Sequence, residues 1–221
     1  MIEILTKIRE QDKTLVFSKK VINTFIVLVF GIVLGIFSKW LDNTPLNDSI
    51  MWKKFLLGYL DLGNVFSMIG IWLLIALCIS IYSATPLRAS INVFIFFLGM
   101  NISYHIYTII FAGFNPMNYM MIWYFLTLFS PILAFICWYS KGSGIIPVII
   151  NTCIIAIMIL CCFGIGMWYF NFTSIINTII FISLIYLMIL HQIYLFLDHN
   201  LLNVLKRCII NKQLIFMIII I

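Results

Sequence analysis

Charge is what this chain has least of. Only 9% of its 221 residues are Asp, Glu, Lys or Arg, and only seven are acidic. Soluble domains carry about 25% charged residues, so a water-facing surface of ordinary polarity is excluded. The acidic residues stand singly along the chain and leave no carboxylate dyad for hydrolysis. Histidine is nearly as scarce, with three residues. The six cysteines (Cys78, Cys137, Cys153, Cys161, Cys162 and Cys208) form no C-x-x-C pair. A zinc site or a disulfide framework is therefore not expected, and the cysteines read as small buried hydrophobes. H-E-x-x-H, P-loop and dinucleotide glycine patterns are absent too. No catalytic residue, metal or cofactor is expected, and the chain is not read as an enzyme.

What fills the chain is apolar, at 64% of residues. A bilayer core about 30 Å thick is crossed by about twenty helical residues at 1.5 Å each, and stretches of that length recur near 21–40, 65–82, 87–112, 117–139, 145–169 and 174–197. The expected fold is all-α: a polytopic integral membrane protein built as a bundle of six transmembrane helices. Residues 1–20 make a cytoplasmic arm, amphipathic on the membrane surface or solvated. Residues 21–197 make the transmembrane domain, and 198–221 a basic cytoplasmic tail whose apolar end is too short to cross. The first apolar run lacks a small-residue cleavage motif, so it is expected to persist as a span.

The net charge of +6 is not a nucleic-acid signature, because no basic cluster is interleaved with stacking aromatics. With the N-terminus inside, Lys7, Arg9, Lys13, Lys19, Lys20, Arg88, Lys141, Lys206, Arg207 and Lys212 face the cytoplasm, against Lys39, Lys53 and Lys54 outside. The positive-inside rule then puts both termini in the cytoplasm of a cell-membrane protein. Trp40, Trp123, Trp168 and Tyr169 would mark the outer interface, and Trp138 and Tyr139 the inner one. Asn47-Asp48-Ser49 and Asn171-Phe172-Thr173 match glycosylation sequons on the outer side.

Local signals refine the elements. Gly31 and Gly35 share a face and invite a close helix neighbour. A short interfacial helix is expected within 49–60, after Pro45. Thr85 with Pro86 forms an N-cap and first-turn pair. Pro131 after Ser130 should kink the fourth span, and Gly164 and Gly166 should loosen the end of the fifth.

Polar side chains inside lipid are costly and mark candidate sites. Asn101, His105 and Thr108 recur at helical spacing on one face of the third span, with Tyr104 beside them. They read either as a polar cavity or ligand site, with His105 carrying protons, or as interhelical hydrogen bonding that holds the bundle together. Asp61 caps the second span or stands at a cavity mouth. Arg88 is a candidate contact to lipid phosphate or to a partner's carboxylate. His191 reads as interfacial. Gly142-Ser143-Gly144 invites comparison with rhomboid-type intramembrane proteases, but Lys141 stands where that pattern needs glycine.

The segments Asn101-Ile102-Ser103-Tyr104-His105 and Gly113-Phe114-Asn115-Pro116 resemble a small bacterial six-helix membrane family, a resemblance that implies the fold and no activity. In size and helix count the chain is similar to type-2 ABC permease subunits and to substrate-capture subunits of energy-coupling-factor transporters. The expected function is a transport-related, permease-like subunit without its own energy-converting domain. Its partners would be the lipid bilayer and a cytoplasmic ATPase or other membrane subunit. The alternative is a non-catalytic accessory, immunity or sensory membrane protein.

Overall fold

A computed structural model describes residues 8–11, 16–44, 51–165, 170–172 and 175–196, with side chains omitted for 164–175 and 189–196. The expectations for 1–7 and 12–15 of the arm, for Pro45, Asn47-Asp48-Ser49, Gly166, Trp168, Tyr169 and the His191 side chain, and for the tail 198–221 lie outside the described residues.

Among the described residues, the regular structure is helical apart from one small ribbon. Helix α1 spans Phe17–Asn43. A helical turn, Met51–Lys53, runs on as a π-helical segment, Lys54–Tyr59. Then follow α2 (Leu62–Ser67), α3 (Ile69–Tyr82), α4 (Pro86–Tyr107) with a π-helical end at Thr108–Ala112, and α5 (Met117–Trp138) with a 3-10 turn at Tyr139–Lys141. Helix α6 (Ile145–Cys162) leads into an antiparallel ribbon, β1 (Phe163–Ile165) with β2 (Phe170–Phe172), and α7 covers Ile175–Phe196.

Among the described residues, four helical stretches are long and apolar enough to cross a membrane: Phe17–Asn43, Pro86–Ala112, Met117–Lys141 and Ile145–Cys162. Their flanks expose rows of large apolar side chains, such as Phe25, Val29 and Val33 on α1 and Phe125, Leu128 and Ile132 on α5. Lipid, not water, is the solvent such faces match.

The other two expected spans come out differently. The second is interrupted: Met68 is extended (φ −88°, ψ 149°), separating α2 from α3. The Trp72 indole nitrogen donates to the Phe66 carbonyl across the break at 2.8 Å, satisfying a group that lipid cannot. Helix α3 is apolar on every side and buries Trp72, Leu74, Ile75, Cys78 and Ile81, so it forms the centre of the bundle. The fifth span stops at Cys162, short of the expected 169, and Gly164 and Asn171 pair in the ribbon where a looser helix and a turn were expected.

Helices α1 and α4 make the most extensive interhelical contact. A Cβ at Gly31 would overlap the Phe96 carbonyl, and one at Gly35 the Met100 carbonyl and Ser103 hydroxyl; Gly99 faces back against Leu28. The glycine pair thus has α4 as its partner, backbone to backbone. Thr85 caps α4 by accepting from the Arg88 backbone N–H at 3.2 Å, with Pro86 at the first position. Helix α5 continues through Pro131: the Ser130 hydroxyl donates to the Thr127 carbonyl at 2.8 Å, supplying the donor that proline lacks.

The first described arm residues lie against the protein. Ile8 is buried with Ala89, Trp138 and Tyr139, and the Ser143 N–H donates to its carbonyl at 2.9 Å. A Cβ at Gly142 would overlap Ile8. Trp138 and Tyr139, expected to mark the inner interface, are buried inside the protein at this end, at 0% and 4% exposure. Trp123 also turns inward, packing on the central core.

Candidate functional site

The α1–α3–α4–α5 bundle has an arm end, where Ile8 docks, and a distal end, where α1 finishes. The polar face of the third span lies toward the distal end. Asn101 is 2% exposed, and its amide nitrogen donates to Thr127 Oγ1 at 2.7 Å and to the Trp123 carbonyl at 3.3 Å on α5. Thr108 is fully buried and donates to the Tyr104 carbonyl at 2.8 Å, within its own helix.

Tyr104 and His105 are half-buried, and each joins two elements. The Tyr104 hydroxyl donates to Asp42 Oδ2 at 2.8 Å, and the Tyr119 hydroxyl lies 3.5 Å from it. His105 places Nδ1 2.5 Å from the Tyr124 hydroxyl and Nε2 3.1 Å from Asn115 Oδ1. An amide oxygen only accepts, so Nε2 donates to Asn115, and in the neutral ring Nδ1 then accepts from Tyr124. The ring is thus held between the start of α5 and the turn before it.

Asp42 and Lys39 complete this end, and neither was singled out from sequence. Lys39 is 6% exposed. Its ammonium lies 3.8 Å from Asp42 Oδ2, and over the rings of Tyr104 and Phe114 at 5.3 and 5.5 Å. Ser67 of α2 adds a bond to Asp42 Oδ1 at 3.2 Å. The signal was available: Lys39 and Asp42 stand at i, i+3 near the end of the first span.

Asp61 lines neither the apolar cavity between α3, α4, α5 and α6 nor the cleft between α1, α3 and α4 described below. It occupies the residue before α2 with left-handed backbone (φ 50°), and its carboxylate accepts from the Asn64 side chain at 2.9 Å without capping a backbone N–H. Arg88 lies at the arm end, away from Asn101 and His105. Its Nη2 donates to the Lys20 carbonyl at 2.6 Å and to Thr24 Oγ1 at 2.5 Å, tying α4 to α1.

The arm end has its own cation. The Arg9 guanidinium donates to the Trp138 carbonyl and, at 2.9 Å, to the Ile81 carbonyl, with its carbon 4.0 Å above the Trp138 ring. These carbonyls end α5 and α3, where unpaired acceptors and the helix dipole both favour a cation. Burial lowers the Arg9 pKa to about 10, which leaves it charged at neutral pH.

Among the described residues, no three His, Cys, Asp or Glu side chains gather as metal ligands. At mid-depth a cavity of about 140 Å³ lies between α3, α4, α5 and α6. Trp72, Leu77, Phe97, Trp123 and Met158 wall it, and its only polar side chains, Ser80 and Ser130, donate to the Ala134 and Thr127 carbonyls. Of the four polar residues of the third span, none lines it. Compared with protein-family models, curated proteins and solved structures, the chain matches none.

Proposed function

We propose that the chain is a multi-pass membrane protein acting as a non-catalytic interaction subunit, crossing six times with both termini in the cytoplasm. On this reading α2 and α3 form one broken crossing, and α7 the last. One observation carries the proposal: Asn101, Tyr104, His105 and Thr108 each have a hydrogen-bond partner within the protein, while the mid-depth cavity is apolar. Polar groups spent on bracing helices are not free to dehydrate a passing solute. Apolar flanks on α1 and α5 then offer surface to lipid or to another membrane subunit.

The expected transport role keeps one specific argument. Helix α3 is central and is separated from α2 by the break at Met68, and broken helices at membrane depth are how many transporters build sites. A permease of this kind would need a cytoplasmic ATPase or another membrane subunit to drive it. Water-soluble thiol reagents separate the two readings. In a chain freed of its own cysteines, cysteine at Asn101, Thr127 or Ser80 is expected to stay unlabelled from either side, while cysteine at Lys54 labels readily. Labelling that runs along one face of α4 into the middle of the bundle would overturn the bracing role and favour transport.

A further inference from the structure

We infer that the cleft between α1, α3 and α4 at the arm end is a binding site for the phosphate of an anionic phospholipid. The cleft encloses about 420 Å³. Its rim carries Lys20, Asn23, Ser83, Arg88 and Asn92. Two of these are cations, and no carboxylate of the described residues lines it.

The rim is held in shape by its own bonds. Asn92 Nδ2 donates to Ser83 Oγ at 3.4 Å, and its Oδ1 lies 3.1 Å from the Thr24 hydroxyl. The Arg88 guanidinium is anchored through Nη2 alone, on the Lys20 carbonyl and Thr24. Its Nε and Nη1 have no partner among the described residues, which leaves a fixed donor edge, the geometry that suits phosphate oxygens. Lys20 adds a second positive charge without an ionic partner among the described residues.

The walls point to a lipid as the source of the phosphate. Behind the rim lie Ile26, Val27 and Ile79. Ile26 is 58% exposed, on the same apolar flank of α1 as Ile22 and Phe25. The cleft is therefore continuous with a surface that acyl chains cover. A headgroup seated on Arg88 and Lys20 would have its tails lying along α1. This site goes beyond either reading of function and holds under both.

The test uses the full chain in phosphatidylcholine nanodiscs containing a small fraction of phosphatidylglycerol, with lipid retained on the protein counted by native mass spectrometry after transfer to neutral detergent. The wild-type chain is expected to keep a phosphatidylglycerol. Lys20→Gln and Arg88→Gln are each expected to weaken retention roughly tenfold, as for loss of one charge-assisted contact. Lys53→Gln and Lys54→Gln, which remove the same charge elsewhere, should leave it unchanged. Arg88 also ties α1 to α4, so Lys20→Gln, which keeps the backbone carbonyl, decides the matter if Arg88→Gln misfolds. Equal retention in Lys20→Gln, or equal losses at Lys53 and Lys54, would overturn the site. Inorganic phosphate is expected not to displace the lipid; displacement by phosphate alone would reassign the cleft to a free anion.

Discussion

Asn101 reaches Thr127 and the Trp123 carbonyl from a position almost sealed from solvent. Interhelical side-chain bonds in membranes average about 0.6 kcal/mol and reach about 1.7. Asn101→Leu should therefore destabilise the bundle by about 1 kcal/mol, measured by unfolding in mixed micelles. Asn101→Leu with Thr127→Val should cost less than the sum of the two single changes, because the cycle removes both partners of one bond. Strict additivity would mean that Asn101 and Thr127 do not act together. The site was half legible at this scale. Helical spacing put Asn101, His105 and Thr108 on one face, and three-dimensional packing turned that face inward. It could not supply the partners Asp42, Asn115, Tyr124 and Thr127, because they lie on other helices or turns and periodicity speaks only along one helix. Asp61 was read as a cap or at a cavity mouth; its carboxylate bonds Asn64 in its own turn, while Asp42 pairs across elements with Tyr104 and Ser67.

Helix by helix, the contacts explain which substitutions the bundle tolerates. At Gly35 any side chain meets the Met100 carbonyl and Ser103, so Gly35→Leu should separate α1 from α4 and cost about 3 kcal/mol or more of stability. Gly63→Ala, with open space around it, should change stability by less than about 0.5 kcal/mol. The two compared in the same unfolding assay test whether close backbone approach is what the glycines provide. Arg9→Met should cost about 2 kcal/mol, since the Ile81 and Trp138 carbonyls lose a charged donor at two helix ends. A neutral outcome would place Arg9 at the surface and detach the arm from the bundle. The α1–α4 contact was legible as a glycine pair, and the start of α4 as Thr85-Pro86. The break at Met68 was not, since neither proline nor glycine marks residue 68, and the indole of Trp72 that tolerates it is recognisable only once the chain is folded. At Pro131, read as a kink, helical residues continue on both sides and the Ser130 hydroxyl takes up the Thr127 carbonyl that the proline leaves without an N–H.

For the molecule as a whole, the long apolar runs located the long helices but not the division of α2 from α3, and among the described residues four helices meet the length of a crossing. What length alone does not decide is whether the broken pair α2–α3 crosses as well. On the proposed six-span reading it does, with Ser67 bonding Asp42 at the distal end and the Ile81 carbonyl binding Arg9 at the arm end. The α1 and α4 neighbours run between the same two ends. Sidedness at Asn64 and Ala84 tests this most directly. In intact cells carrying a chain with its own cysteines replaced, a membrane-impermeant maleimide should label cysteine at Asn64 and at Phe114, while cysteine at Ala84 and at Ser143 should label only after permeabilisation. Labelling of Asn64 and Ala84 from the same side would contradict a crossing by α2–α3 and, with it, the six-span bundle.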